Sequence, residues 1–292
     1  MCKLMKKKNF IYPLIILIFM ISLFPAIAYA DMGPKDKLTV HVQNPPDELY
    51  YLDLLTQETS KYDNLSSDKR EELNQDMVKL LYSYENEGWK PAFVEGTGRP
   101  MWGDLTGTSN NGERVHIFGY VGLPDTYRII IVTKSGTVSV SDTFKRKALQ
   151  SSITYNYATK KATTPNLAVA YILQFLTTCI PTLVIEGIIL LLFGFSLKKN
   201  WKAFLLVNII TQIFLTVTVG ISLIKSGTVS TYIVQFPVEL IILIVETIAF
   251  KKLLKGQSQK RCIAYGIAAN LASWGFGIFL LRYQFDFLSK II

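Results

Sequence analysis

Carboxyl, carboxamide and hydroxyl side chains occur inside four apolar stretches near the carboxyl end of the chain, where polar groups are costly. The stretches lie near 166–197, 203–224, 232–250 and 262–281. An ionised side chain at the centre of a membrane costs about 2.5–3.5 kcal/mol on insertion scales, and such residues are functional candidates. The candidate membrane polar layer consists of Glu186, Asn208, Gln212, Glu239, Asn270 and Ser273.

The distance of these polar residues from flanking basic residues indicates a common depth. Glu186 precedes Lys198 by 12 residues, and Glu239 precedes Lys251 by the same number. A helix rises about 1.5 Å per residue, which puts both carboxyls roughly 18 Å from the basic boundary. That depth is near the middle of a hydrocarbon core about 30 Å thick. Glu246 is only five residues from Lys251, which favours solvation at the interface for this third glutamate.

Two carboxyls at mid-depth allow two interpretations. They could line a cavity that binds a cation, passes protons or holds a polar substrate. Alternatively, both are protonated and hydrogen-bond to amide side chains of the polar layer, which would only hold the helices together. Intramembrane hydrolysis is disfavoured because the two histidines of the chain, His41 and His116, both precede the apolar stretches. The sequence predicts no metal site and no cofactor.

The four apolar stretches each approach the length of about 20 residues that is needed to cross a membrane. We therefore expect residues 165–292 to form a four-helix transmembrane bundle in the lipid bilayer. Basic residues are concentrated in the loops 198–202 and 251–261. The positive-inside rule puts both loops in the cytoplasm and residues 31–165 outside the cell.

The amino-terminal residues 1–30 resemble an export signal. Four lysines precede an apolar run over residues 10–24, and Ala28-Tyr29-Ala30 follows it. This pattern predicts a secretory signal peptide that is cleaved after Ala30. The net charge of +9 is concentrated beside apolar segments, as membrane orientation requires. Nucleic-acid binding is therefore not predicted.

The segment 31–164 is predicted to be an extracellular β-rich domain. Runs such as 38–43 and 127–133 contain the alternation or β-branched residues of strands, and turn signals separate them. One helix is expected to begin at Ser67 or Asp68 and to end at Gly88, since its apolar residues keep helical spacing. The fold class is thus an α+β, sandwich-like exterior domain followed by the transmembrane bundle.

A stretch rich in glycine, threonine and asparagine, residues 95–113, interrupts the predicted strands. Long irregular loops are often binding loops, and an exposed tryptophan beside an arginine suits a contact surface. The alternative is a flexible hairpin whose tryptophan folds back on the core. The candidate exterior binding loop is marked by Arg99, Trp102 and Asp104.

The chain resembles a group of uncharacterised Gram-positive membrane proteins over nearly its whole length. The resemblance rests on the segment Ala30-Asp31-Met32-Gly33-Pro34-Lys35 and on polar residues of the apolar stretches. It implies a secreted start, an outward domain and four spans, and it carries no activity or site residues. The matching polar residues are Glu186, Asn208, Thr211, Gln212, Glu239, Glu246 and Asn270.

The sequence favours a membrane sensor or transport accessory over an enzyme. In this interpretation the exterior domain binds an envelope ligand or a membrane-protein partner and is coupled to the polar-cored bundle. Two alternatives remain. One is a small transporter or channel in which Glu186 and Glu239 bind a cation or protons. The other is a structural subunit of a membrane complex.

Overall fold

The computed structural model describes residues 33–58 and 60–292. The predicted signal peptide, residues 1–30, lies outside the described residues. Pro34–Ile292 forms one compact unit, in which a β-rich region precedes a helical region. We call these two regions the β domain, residues 34–164, and the helical region, residues 165–292.

The first sheet of the β domain is built around strand β1 (Lys37–Gln43). This strand pairs in parallel with β10 (Gln150–Asn156) and antiparallel with β6 (Glu113–Gly119). Every second residue of β1 is fully buried, from Leu38 to Val42, as expected where successive side chains point to opposite faces of a sheet. The sheet is completed by β11 (Lys161–Thr163), β4 (Trp102–Gly103) and β5 (Thr108–Asn110).

The second sheet is built around β2 (Tyr50–Thr56) and β7 (Thr126–Thr133), which pair antiparallel. Every residue of β2 is buried. One face of the strand meets the core, and a helix and a loop cover the rest of it. Residues of both sheets belong to one hydrophobic cluster, which confirms a β-rich domain of two sheets. The remaining strands are β3 (Lys90–Pro91), β8 (Val138–Val140) and β9 (Phe144–Lys145).

The predicted single helix ending at Gly88 is wrong. Two short helices occupy this stretch, α1 (Ser67–Glu71) and α2 (Gln75–Tyr82). Asn74 separates them because its side-chain oxygen accepts two backbone N–H groups of the next turn and thereby starts a new helix. The apolar spacing alone could not reveal this interruption, since the buried face continues through it.

Asp53 is a fully buried acid on β2. Its carboxylate accepts backbone hydrogen bonds from Leu54 at 2.6 Å, Phe93 at 3.0 Å and Val94 at 2.9 Å. Burial raises the pKa of Asp53 to about 7, although these three donors oppose the shift. The side chain therefore ties the segment after β3 to the middle of the second sheet.

His116 is a second fully buried polar residue of the β domain. Its Nε2 lies 3.1 Å from the Tyr50 hydroxyl, and its Nδ1 lies 3.0 Å from the Asp104 carbonyl oxygen. Burial lowers the pKa of His116 to about 4, so the ring is neutral at pH 7. In that state Nδ1–H donates to the carbonyl and Nε2 accepts from the hydroxyl.

The helical region contains four long helices and a π-helical turn over Thr216–Gly220 that joins the second of them to the third. Among the described residues, three helical segments are long and apolar enough to cross a membrane. This finding is compatible with an integral membrane protein. The predicted spans near 203–224 and 232–250 both fall within one of these segments, Leu197–Leu253. The helices are α3 (Leu167–Leu192), α4 (Leu197–Leu215), α5 (Ile221–Leu253) and α6 (Gln259–Leu288).

The long segment Leu197–Leu253 is interrupted at Gly227, whose φ of 73° and ψ of −172° are not helical. Side-chain hydrogen bonds connect the two halves on either side of this residue. The Lys255 backbone N–H donates to Asn200 Oδ1 at 2.8 Å, and a shorter bond joins Thr211 to Glu246. Near the break, Thr231 Oγ1 donates to Ser222 at 3.3 Å. The two residues of each bonded pair lie at nearly equal distances in sequence before and after Gly227. The two halves therefore run antiparallel, side by side, as a helical hairpin.

The β domain contacts the helical region at the end that contains Gly227. The backbone N–H of Leu149 donates to the carbonyl of Ile224 at 2.9 Å. A Cβ atom at Gly227 would lie 2.7 Å from Pro34 and 2.8 Å from Leu149, so the glycine allows a close approach of the two regions. Beside this contact, the buried Arg146 guanidinium bonds Asp36 and a second acid at 2.8 Å each. We call this end of the helices the β-domain end.

Candidate functional site

The predicted membrane polar layer surrounds a narrow cavity between helices α3, α4, α5 and α6. The cavity measures about 30 Å³, which is room for one or two water molecules or one small cation. Asn208 is not part of its wall but is fully buried beside the carboxyl of Glu186. The predicted residues on the wall are Glu186, Gln212, Glu239, Asn270 and Ser273.

Glu186 lies on α3 and is 1% exposed. Its Oε1 accepts a hydrogen bond from the Ser273 hydroxyl of α6 at 2.8 Å. Its Oε2 is buried and has no partner among the described residues. Because a buried polar atom without a partner is costly, this oxygen is a candidate position for a proton or a cation.

Glu246 is also buried, which contradicts the expectation of a solvated residue near the interface. It is 1% exposed because α4 and α6 both pack against its face of α5. The Thr211 hydroxyl bonds one carboxyl oxygen, and the Asn270 amide donates to the other at 2.9 Å. The sequence contained a signal for this location, since Glu246 lies seven residues after Glu239 and therefore on the same helix face.

The amide side chains around the cavity contribute further acceptors that lack donors. The NH₂ group of Gln212 donates a hydrogen bond to the Thr182 hydroxyl at 3.4 Å, and that of Gln235 donates to the Glu239 carboxyl at 3.5 Å. Four buried carboxamide oxygens in this region have no hydrogen-bond partner among the described residues. They are the side-chain oxygens of Gln174, Asn208, Gln212 and Gln235.

Sequence reasoning did not select Gln174 and Gln284, which line the cavity toward the β-domain end. Gln174 continues the four-residue spacing that leads through Thr178 to Glu186, so the helical period could have identified it. Gln284 had no such signal, because it lies beyond the predicted fourth span. Its NH₂ group donates to Thr177 Oγ1 at 3.2 Å.

Two irregular backbone features lie beside the polar layer. Pro181 of α3 cannot donate to the carbonyl four residues earlier, which leaves that oxygen without its helical partner. The π-helical turn ends at Gly220, where a Cβ atom would lie 2.6 Å from the Gln174 side-chain oxygen. The glycine thus makes the space that Gln174 occupies. Such π segments often occur at functional sites.

The polar layer lies between two apolar clusters. The cluster at the β-domain end includes Leu223, Leu281 and Phe285. The cluster at the opposite end includes Leu190, Phe250 and the aromatic ring of Tyr265. The carboxyl and amide groups are therefore separated from water by apolar side chains at both ends of the helical region.

The described residues contain no group of three or more His, Cys, Asp or Glu side chains close enough to hold a metal ion. The three glutamates of the helical region line one cavity but do not form such a group. A divalent calcium ion would require six to eight oxygen ligands. The arrangement suits a proton, a water molecule or a weakly held monovalent cation better than a divalent metal.

The candidate exterior binding loop is not an irregular loop as predicted, because it contains strands β4 and β5, which both pair with β6. Asp104 Oδ1 accepts the backbone N–H groups of Thr106 and Gly107, each at 3.0 Å, so this acid stabilises a turn. Trp102 is 45% exposed and its ring packs over Gly119. Arg99 is exposed and lies at the edge of an open cleft between the β domain and the helical region. The three predicted residues thus do not converge on one point.

No protein-family model, no curated protein and no solved structure matches this chain. The function must therefore be inferred from the chemistry of the cavity and of the β domain. Among the described residues, the cavity brings several buried, unpartnered polar groups of different helices together, whereas the β domain has two such groups, the hydroxyls of Ser139 and Tyr155.

Proposed function

We propose that the chain is an integral membrane protein that binds a proton or a small cation in the polar cavity, as a small transporter or channel does. The supporting observation is the set of buried oxygens without donors, headed by Glu186 Oε2. Buried polar groups are almost always satisfied, and intramembrane acids are typical of ion pathways and proton relays. A proton on Glu186 or a small cation beside it would satisfy this oxygen, which supports a binding site for one of them.

We further propose four membrane crossings, with Leu197–Leu253 contributing two of them. The hairpin hydrogen bonds around Gly227 support two antiparallel crossings in this segment. Each half is long enough for a hydrocarbon core of about 30 Å. An odd number of crossings would also put the basic loops 198–202 and 251–261 on opposite sides, against the positive-inside rule.

In this proposal the β domain lies outside the cell and covers the outer end of the bundle. The predicted signal peptide and the charges of the two basic loops both support this orientation. The hydrogen bond between Leu149 and Ile224 gives the β domain a direct contact with the helices beside Gly227. A ligand or partner that moved the β domain would therefore act on the hairpin.

The binding proposal is tested by thermal unfolding of the purified protein across pH and a panel of Na⁺, K⁺, Mg²⁺ and Ca²⁺. A ligand present at 100 times its dissociation constant stabilises the folded state by about 2.7 kcal/mol. We expect protons or one cation to stabilise the wild type but not Glu186→Gln or Glu239→Gln. Glu71→Gln is the matched control, because Glu71 is exposed on the β domain. Identical responses of all four proteins would contradict the proposal.

A second candidate function is recognition of an envelope ligand by the β domain, which would make the protein a sensor. It is favoured by Trp102, a large aromatic side chain that remains 45% exposed in an ordered loop. Co-sedimentation with isolated peptidoglycan tests it. We expect Trp102→Ala to reduce binding and Tyr82→Ala, at another exposed aromatic residue, to leave it unchanged. Equal binding of both variants would contradict this function.

A further inference from the structure

We propose that the exchangeable species in the cavity is a proton carried by Glu186, while Glu246 is a fixed hydrogen-bond acceptor that positions the surrounding helices. This inference rests on the proposed function, because it identifies which ion that site binds. It depends on three features of the cavity: its charge, the different surroundings of its carboxyls, and the side from which polar groups lead to it.

Among the described residues, the cavity wall contains acids but no base. Its carboxyls are those of Glu186, Glu239 and Glu246, and no lysine, arginine or histidine is among the described residues that line it. An isolated buried carboxylate is so costly that the group takes up a proton instead. Since the described acids do not form a metal-binding group, a proton on one of these carboxyls is the simplest way to reduce their charge.

The surroundings of the carboxyls distinguish Glu186 from the other two. Both oxygens of Glu246 already accept hydrogen bonds from side chains of α4 and α6. Glu239 is half-buried, and Gln235 is its polar partner at 3.5 Å. Glu186 is fully buried and has one bonded oxygen and one open oxygen. A proton can therefore bind and leave Glu186 Oε2 without displacing an existing donor.

Each helix packed against Glu186 contributes polar or titratable groups that face it. From α5 these are Glu239 and Glu246, and from α4 it is Asn208, whose side-chain oxygen also lacks a donor. From α6 they are Ser273, which donates to Oε1, and Tyr265, whose hydroxyl donates to the Glu186 backbone carbonyl at 3.5 Å. None of these groups carries a positive charge that would hold Glu186 ionised.

Polar side chains lead from Glu186 toward the β-domain end. Thr182, Thr178 and Gln174 follow at four-residue intervals on α3 and line the cavity. Gln284 on α6 extends this polar surface by its bond to Thr177. The apolar cluster at the β-domain end closes this surface. The proton on Glu186 is therefore enclosed in this conformation, and the polar surface makes the β-domain side its route of exchange once that cluster opens.

Labelling with dicyclohexylcarbodiimide tests this inference, because that apolar reagent modifies protonated carboxyls in membranes. The full-length protein in liposomes is labelled at several pH values, and the modified residue is identified by peptide mass spectrometry. We expect the label on Glu186, with the labelled fraction falling about tenfold per pH unit above its titration point. Glu246→Gln should retain this label. Circular dichroism and thermal unfolding of each variant show that it is folded.

Infrared spectroscopy gives a second readout. We expect Glu186→Gln, but not Glu246→Gln, to lower the absorbance of protonated carboxyls relative to the wild type, while Asp53 contributes equally in all three proteins. The inference is overturned by labelling of Glu239 or Glu246 in place of Glu186, by labelling without pH dependence, by no labelling at any pH, or by protection with Na⁺. Protection by Na⁺ would overturn the inference of a proton but would keep the proposed cation-binding function. Labelling of Glu186 without stabilisation of the protein by any ligand would overturn the proposed function alone.

Discussion

The β domain and the helical region both bury polar side chains, but only one of them satisfies its acids and amides completely. In the β domain, both oxygens of Asp53 and both ring nitrogens of His116 have hydrogen-bond partners. In the helical region, an acid and four amides have oxygens without any partner among the described residues. The buried acids and amides of the β domain fix one structure, although the Ser139 and Tyr155 hydroxyls have no partner among the described residues. In the proposed function, the open acceptors of the helical region receive an occupant.

The largest expected effect on stability is that of Asp53→Ala. The substitution leaves three buried backbone N–H groups without an acceptor. We expect the β domain to lose about 3–5 kcal/mol of unfolding free energy, since each orphaned buried donor costs about 1–3 kcal/mol. Thermal unfolding measures this loss. Asp47→Ala, at an exposed acid, is the control, and equal stability of the two variants would contradict the structural role.

Acid should destabilise the β domain through His116. Its pKa is about 4 in the folded protein and 6.5 ordinarily, so the unfolded state binds more protons between these values. The free energy of unfolding therefore falls as the pH drops from 6.5 to 4, by up to about 3 kcal/mol. The contribution of Asp53 to the free energy of unfolding has the opposite pH dependence, because the pKa of this residue is raised in the folded protein. That contribution is the same in wild type and in His116→Gln, so it cancels in the difference between them.

The measurement is the difference in unfolding free energy between wild type and His116→Gln as a function of pH. We expect the stability of the wild type relative to the variant to decrease on acidification. Parallel curves for the two proteins would show that the imidazole is not held neutral by burial. They would also weaken the contrast between the β domain, whose buried acids and amides have hydrogen-bond partners, and the cavity, where an acid and several amides have oxygens without a partner.

The contact between the two regions should be sensitive to Gly227→Ala. The residue has a positive φ, and a Cβ atom would overlap Pro34 and Leu149. We expect a loss of about 1–3 kcal/mol from strain and faster tryptic cleavage near Lys145 and Lys147. Gly256→Ala is the matched control, because Gly256 also has a positive φ but nothing within 4 Å of its Cβ position. Equal cleavage in both variants would argue against a close contact at Gly227.

The smallest expected stability effects are in the cavity, and their signs differ. Glu246→Gln loses one of two accepted hydrogen bonds, because its NH₂ group faces one of the two donors, so we expect destabilisation by about 1 kcal/mol. Glu186→Gln keeps the bond from Ser273 and removes the cost of burying an ionisable carboxyl. We expect its stability to equal or exceed that of the wild type. Thermal unfolding at neutral pH compares the two, and a stability order opposite to this one would remove the distinction between the glutamates.

Regular periodicity explains what could be predicted from the sequence. The two-residue alternation identified β1, and the length of the apolar stretches identified membrane-type helices. Depth counting selected Glu186 and Glu239, which line one cavity. It misjudged Glu246, because distance from a basic residue measures depth but not which helix face is covered by neighbours. The helix break at Asn74 depends on one side-chain cap, which apolar spacing does not contain.

In the proposed function, the occupant of the cavity crosses the membrane by way of Glu186. The most direct test is the flux of H⁺, Na⁺ and K⁺ into liposomes that contain the purified full-length protein. We predict proton flux through the wild type and Glu71→Gln, and a rate for Glu186→Gln no higher than that of protein-free liposomes. Wild-type flux indistinguishable from protein-free liposomes, or undiminished flux in Glu186→Gln, would contradict the account.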